Sequence, residues 1–87
     1  MEGINRISDD ANAIKYAEKL LQIYRESGER LDEYKLSIKL GEIYFDQSRY
    51  AQAMQVTKNA LLISKEIGDT NGEASCCQNL GAFYRSH

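Results

Sequence analysis

The residues able to do chemistry are few and poorly grouped. Two cysteines stand side by side, Cys76 and Cys77, and the one histidine is His87. Neighbours on a helix point about 100° apart, which is wrong for a disulfide between them. A metal site would need further Cys or His nearby, and only His87 is available. Both cysteines therefore read as small apolar residues of a helix core with reduced thiols, which favours a cytoplasmic setting. The serines have no histidine partner for nucleophilic catalysis, and the glycines are too scattered to cradle a phosphate. Asp9-Asp10 and Asp32-Glu33 look like paired acids, but each falls in the first turn of a helical pattern, where it complements the helix dipole. The expectation is no enzyme, no cofactor and no metal.

Bulk properties narrow the classes further. The chain has 87 residues, 43% hydrophobic and 28% charged, with a formal net charge of −2. That is the composition of one ordinary globular domain. At this length only about two-thirds of the unfolded surface is buried, so the core is small. Eleven basic residues against thirteen acidic ones, without a Lys/Arg run, give no field that draws in nucleic acid. No apolar stretch is long enough to span a membrane, Met1-Glu2-Gly3 does not open a leader, and no asparagine sits in a glycosylation sequon.

What positions these residues is helix throughout. Proline is absent and strand-like alternation appears nowhere. The first helix is expected from Ser8 as N-cap, with Ala13, Tyr16, Ala17, Leu20, Leu21 and Tyr24 as its apolar stripe and Gly28 as its stop. A second runs from about Asp32 to Asp46 with Leu36, Leu40, Ile43 and Tyr44 on one face. Gln47-Ser48-Arg49 is a turn in which Ser48 can cap the third helix. That helix carries Tyr50, Ala53, Val56, Thr57, Ala60, Leu61 and Ser64 inward and ends at Gly68. Thr70 to Glu73 has the form of a capping box. The fourth helix turns Cys76, Cys77, Leu80, Phe83 and Tyr84 inward.

The chain is also similar to itself. Shifted by 40 residues without gaps, Ser8 falls on Ser48, Ala11 on Ala51, Ala13 on Ala53, Leu21 on Leu61, and Ile23 on Ile63. Glu26 falls on Glu66, Gly28 on Gly68, Glu33 on Glu73, Leu40 on Leu80, Gly41 on Gly81, and Tyr44 on Tyr84. Such internal repetition takes precedence over local readings. Gly41 and Gly81 lie inside helices, where glycine costs about 1 kcal/mol relative to alanine. Their recurrence implies a close helix-helix approach, opposite small residues such as Ala53 or Ala60. The repeat is thus a pair of antiparallel helices. The chain holds the second helix of one unit (8–28), a complete unit (32–68) and the first helix of another (71–87).

Leu40-Gly41, Tyr44, Tyr50, Ala53 and Ala60 have the spacing of the tetratricopeptide repeat, and Leu80-Gly81 with Tyr84 restart it. The 40-residue period exceeds the usual 34 and resembles the long-looped subtype of Pins/LGN-like scaffolds and rapsyn. Glu66 to Glu73 looks like the linker of that subtype, and Gln78-Asn79-Leu80-Gly81 like its first-helix motif. Thr57, Ser37, Cys77 and Asp10 stand where the family prefers bulkier or aromatic residues. The resemblance implies an all-α antiparallel helix-turn-helix solenoid fragment of about four helices that recognises other proteins.

In such arrays the first helices line a concave groove that holds a peptide. The resemblance puts Lys35, Ile38, Lys39, Glu42 and Phe45 of the complete unit there, with Ser75, Gln78, Asn79, Ala82 and Arg85 of the last helix. The like-charged pair Lys35 and Lys39 costs the helix a few tenths of a kcal/mol. Ile38 and Phe45 lie off the stripe of Leu36, Leu40 and Tyr44; they serve a ligand or pack against a neighbouring helix. Asn79 and Arg85 could bond a peptide backbone or carboxylate. Cys77, Leu80, Gly81 and Tyr84 would form an exposed edge for self-association. The expected function is a protein-interaction scaffold without nucleic-acid or membrane partners. A self-associating spacer and a regulatory segment of a larger enzyme are the alternatives.

Overall fold

Two left-handed glycines set the helix connections. The computed structural model describes residues 2–86, with side chains over 12–85. Gly28 (φ 75°) and Gly68 (φ 74°) each follow a helix end in a conformation that costs glycine little. The amide two places after each helix then bonds back to a carbonyl of the last turn. Glu29 donates to Tyr24 at 2.9 Å and Asp69 to Ser64 at 2.8 Å, which is the Schellman closure. Both bonds repeat at the 40-residue period.

The elements are α1 (Glu2–Ser27), α2 (Arg30–Asp46), α3 (Tyr50–Ile67) and α4 (Thr70–Ser86). There is no strand among the described residues. Two- and three-residue connections make each helix antiparallel to the next. The backbone measures 44 × 34 × 18 Å, and its thin dimension leaves room for no more than two layers of helices. The fold is an all-α helical repeat fragment.

Several local expectations change. Helix α1 is already running at Glu2, so Ser8 is inside it; nothing between these residues forbids helix, and a capping residue is only a preference. The side chains of Ser8, Asp9, Asp10 and Ala11, and all of His87, lie outside the described residues. Ser48 takes φ 61° in the turn, and Arg49 stands at the N-terminus of α3 without a side-chain cap. Asp69 replaces Thr70 as the cap of α4. Its Oδ1 accepts from Gly72 N at 3.0 Å, and α4 begins at Thr70 itself, one residue earlier than a Thr70 cap would allow.

The core runs as a seam of Ile14, Ala17, Leu21, Leu40, Tyr44, Ala53 and Phe83. On α1 the buried residues are Ile14, Ala17 and Leu21, whereas Tyr16 is 69% exposed. The apolar stripe of α1 is therefore wider than the face α2 covers. Ile63 joins the core of α3, and Cys77 and Tyr84 turn outward from α4 rather than inward. Gly41 meets the close contact expected of it: a Cβ there would lie 2.6 Å from Thr57 Oγ1 and 3.6 Å from the Ala53 carbonyl. Gly81, its repeat equivalent, has nothing within 4 Å.

Candidate functional site

Helical geometry sorts α2 into four sides. Lys35, Lys39 and Glu42 share one of them, since residues three and four apart stack on one face. Lys35 and Lys39 line a groove of about 230 Å³ with Asp32 and Leu36 of their own helix and Leu20 and Tyr24 of α1. Turned toward α4 is Phe45. Its ring stacks on Phe83 at 4.6 Å between centroids and meets Tyr50 edge-on at 5.3 Å. Phe45 thus packs against a neighbouring helix, and it holds α2 and α4 side by side. Ile38 is half-buried and Glu42 is exposed. On α4, Ser75, Gln78 and Arg85 are exposed, and Asn79 and Ala82 are half-buried.

The side of α2 away from the lysines carries a feature that sequence reading missed. Glu33 is fully buried. Its Oε2 accepts from Asn59 Nδ2 of α3 at 3.0 Å and from Arg25 Nε of α1 at 3.3 Å. Arg30 Nη1 reaches Oε1 at 3.0 Å. Burial alone pushes this carboxyl up, but the bonds from Asn59, Arg30 and Arg25 prevail and hold it below the ordinary 4.5. One carboxylate therefore ties three helices together. Its sequence signal was the recurrence of Glu33 as Glu73, which reads as a dipole complement until the third helix is in place. Nearby, the Tyr44 hydroxyl donates to Glu18 Oε2 of α1. Burial and that carboxylate push the phenol up to about 12.

A larger cavity of about 530 Å³ lies on this same side, between α1 and α3. Leu21 and Arg25 form one wall, Val56, Asn59 and Leu62 the other, and Tyr44 the floor. No residue of this cavity was among the sequence candidates.

Nothing in these arrangements resembles a reaction centre. Cys76 is buried, and desolvation with Cys77 and Asp69 nearby raises its thiol above the ordinary 9.0, which makes it a poor nucleophile. Among the described residues no group of three or more His, Cys, Asp or Glu could hold a metal ion. No helix there is long and apolar enough to cross a membrane. What the geometry offers is surface on packed helices.

Comparison with known proteins points the same way. No family model matches the chain. Over 79 residues, 91% of its length, it is 35% identical to G-protein-signaling modulator 1 of Mus musculus. The Rattus norvegicus protein of that name matches equally. The chain is thus similar to one stretch of a much longer protein. It spans 11% of the length of these relatives. The similarity supports a tetratricopeptide-like helical repeat, and the relatives' name describes a modulator of G-protein signalling.

Proposed function

We propose that this chain is a segment of a protein-interaction scaffold of the tetratricopeptide type, with the long-looped 40-residue period. In this reading 8–28 is the second helix of one repeat, 32–68 a complete repeat and 71–87 the first helix of another. The two first helices, α2 and α4, form the floor of a groove for a peptide segment of a partner protein. The observation that carries this reading is the Phe45–Phe83 stack. It brings α2 and α4 into contact, and the 40-residue repeat gives Lys35 and Ser75, Lys39 and Asn79, and Glu42 and Ala82 equivalent places on the two helices, which supports the reading.

Within that groove Lys39 and Arg85 supply positive charge, and Gln78 and Asn79 supply amide bonds to an extended backbone. A partner segment bearing carboxylates suits this set. The relatives' name directs the search to proteins of G-protein signalling, and the reduced cysteines suit a cytoplasmic setting. The test is a peptide-library pull-down with the wild-type chain and with Lys39→Glu and Arg85→Glu. The reading expects each change to weaken capture of acidic peptides at least tenfold. Undiminished capture by both variants removes the groove assignment.

A further inference from the structure

Of the five asparagines in the chain only Asn71 precedes a glycine. That pair is chemically frail, because glycine has no side chain to hinder attack by its own amide nitrogen. Asn71 is exposed in the first turn of α4, and Gly72 is buried. The packing requires this glycine. A Cβ at 72 would fall on the Tyr34 hydroxyl, 2.9 Å from Tyr34 Cζ and 2.7 Å from Asp69 Oδ2. The phenol of α2 therefore lies against the backbone of α4, and no side chain at 72 can shield the pair instead. What guards it is the cap. Gly72 N donates to Asp69 Oδ1 at 3.0 Å, and Glu73 N donates to the Asp69 carbonyl at 2.9 Å.

We infer that Asn71 is a self-modification site, deamidated by the chain's own backbone, and that the Asp69 cap holds the reaction off while α4 is intact. In the reaction the Gly72 amide gives its proton to solvent, and its nitrogen attacks Cγ of Asn71. The bond from nitrogen to Cγ forms, the bond from Cγ to Nδ2 breaks, and ammonia leaves with a proton from water. A second water opens the cyclic imide. Entering at Cγ it gives aspartate; entering at the main-chain carbonyl it gives isoaspartate. Asparagine and water become a carboxylic acid and ammonia, and nothing is oxidised or reduced. The cap opposes the first step in two ways. The proton that must leave is engaged by the Asp69 carboxylate, a charge-assisted bond. The Glu73 bond also keeps Asn71 in helical backbone geometry, whereas ring closure needs its ψ to leave that range. Only an opened first turn is therefore competent. The isoaspartate product carries an extra main-chain carbon between 71 and 72. It cannot rebuild the turn, so the mark is a lasting record of opening.

The test is peptide mapping by mass spectrometry of the 87-residue chain, held in near-neutral buffer with and without urea. Aspartate and isoaspartate should accumulate at 71 ahead of every other asparagine. The folded chain should react about tenfold or more slowly than the unfolded one, since it must first open the turn. Asp69→Ala should speed the folded reaction about fivefold, the gain in open turn when an N-cap is lost. Asp69→Asn keeps an oxygen acceptor for the Gly72 amide and should stay within about twofold of wild type. Circular dichroism before incubation checks that each variant is folded. Equal rates for folded and unfolded wild type overturn the inference, and that comparison needs no variant. So does an Asn71 that stays intact in urea, or a folded Asp69→Ala chain that reacts no faster than wild type. If Asp69→Ala unfolds, the wild-type comparison decides alone.

Discussion

Asn59 of α3 and Glu33 of α2 meet at 3.0 Å, and Arg25 of α1 closes on the same carboxylate oxygen. The carboxylate is fully buried, while the two arginines that pair with it keep nearly half of their side chains exposed. Removing the acid thus leaves cations that can rehydrate, so the loss is smaller than for a wholly buried ion pair. Glu33→Ala should destabilise the chain by about 2–3 kcal/mol, the range for charged hydrogen bonds lost with some cavity. Urea unfolding followed by circular dichroism reads it, and a shift below about 1 kcal/mol would show that the network contributes little.

The same carboxyl predicts an acid limb. Its folded value is held below the unfolded 4.5 by Asn59, Arg30 and Arg25 acting against burial. A depressed carboxyl adds stability that is fully present above 4.5 and is lost as pH falls through the folded value. The urea midpoint should therefore decline below pH 4.5, and Glu33→Gln should flatten part of that decline. Tyr44 gives the opposite limb. Its value is raised from 10.0 to about 12 by burial and by Glu18, so its contribution holds below pH 10 and disappears as pH rises toward 12. Tyr44→Phe should remove that alkaline loss.

Much of this architecture could be read from the sequence, and the reason lies in the glycines. Gly28 and Gly68 end helices in a backbone conformation that few other residues accept, and Gly41 sits where α2 and α3 touch. Composition does not place such residues, so their 40-residue recurrence carried the fold. The side chains were harder. Periodicity identifies an apolar residue without saying which of two neighbours covers it, so Tyr16 and Tyr84 were expected inside and stand outside. Glu33 failed for a related reason: three of its partners' helices had to be assembled before a first-turn acid became a core residue. Among the groove candidates, Lys35 and Lys39 share a groove with α1, while Phe45 is tied to α4 and to Tyr50.

The aromatic stack sets a third expectation. Phe83 is buried against Phe45 with ring centroids 4.6 Å apart. Phe83→Ala should cost about 3–4 kcal/mol, within the range for a buried aromatic. A double-mutant cycle with Phe45→Ala isolates the ring-ring part, expected at about 0.5–1.5 kcal/mol. Additive losses would show that the two rings merely fill space independently.

Gly41 and Gly81 make the last prediction, because one substitution should have opposite signs at two equivalent positions. Both glycines interrupt a helix, and alanine gains about 1 kcal/mol there when nothing opposes the methyl. At Gly81 nothing lies within 4 Å, so Gly81→Ala should raise stability by nearly that amount. At Gly41 the methyl would stand 2.6 Å from Thr57 Oγ1, whose hydroxyl already donates to the Ala53 carbonyl at 2.7 Å. Turning Thr57 aside breaks that buried bond, and separating α2 from α3 loosens the Glu33–Asn59 contact. Overpacking of this kind costs about 1–3 kcal/mol, which outweighs the propensity gain. Gly41→Ala should therefore lower the urea midpoint while Gly81→Ala raises it, both measured at dilutions where the chain is monomeric. Thr57→Ala frees the space that the methyl needs, so the Gly41→Ala penalty should shrink in that background. A Gly41→Ala penalty unchanged by Thr57→Ala would place the clash elsewhere than at this hydroxyl.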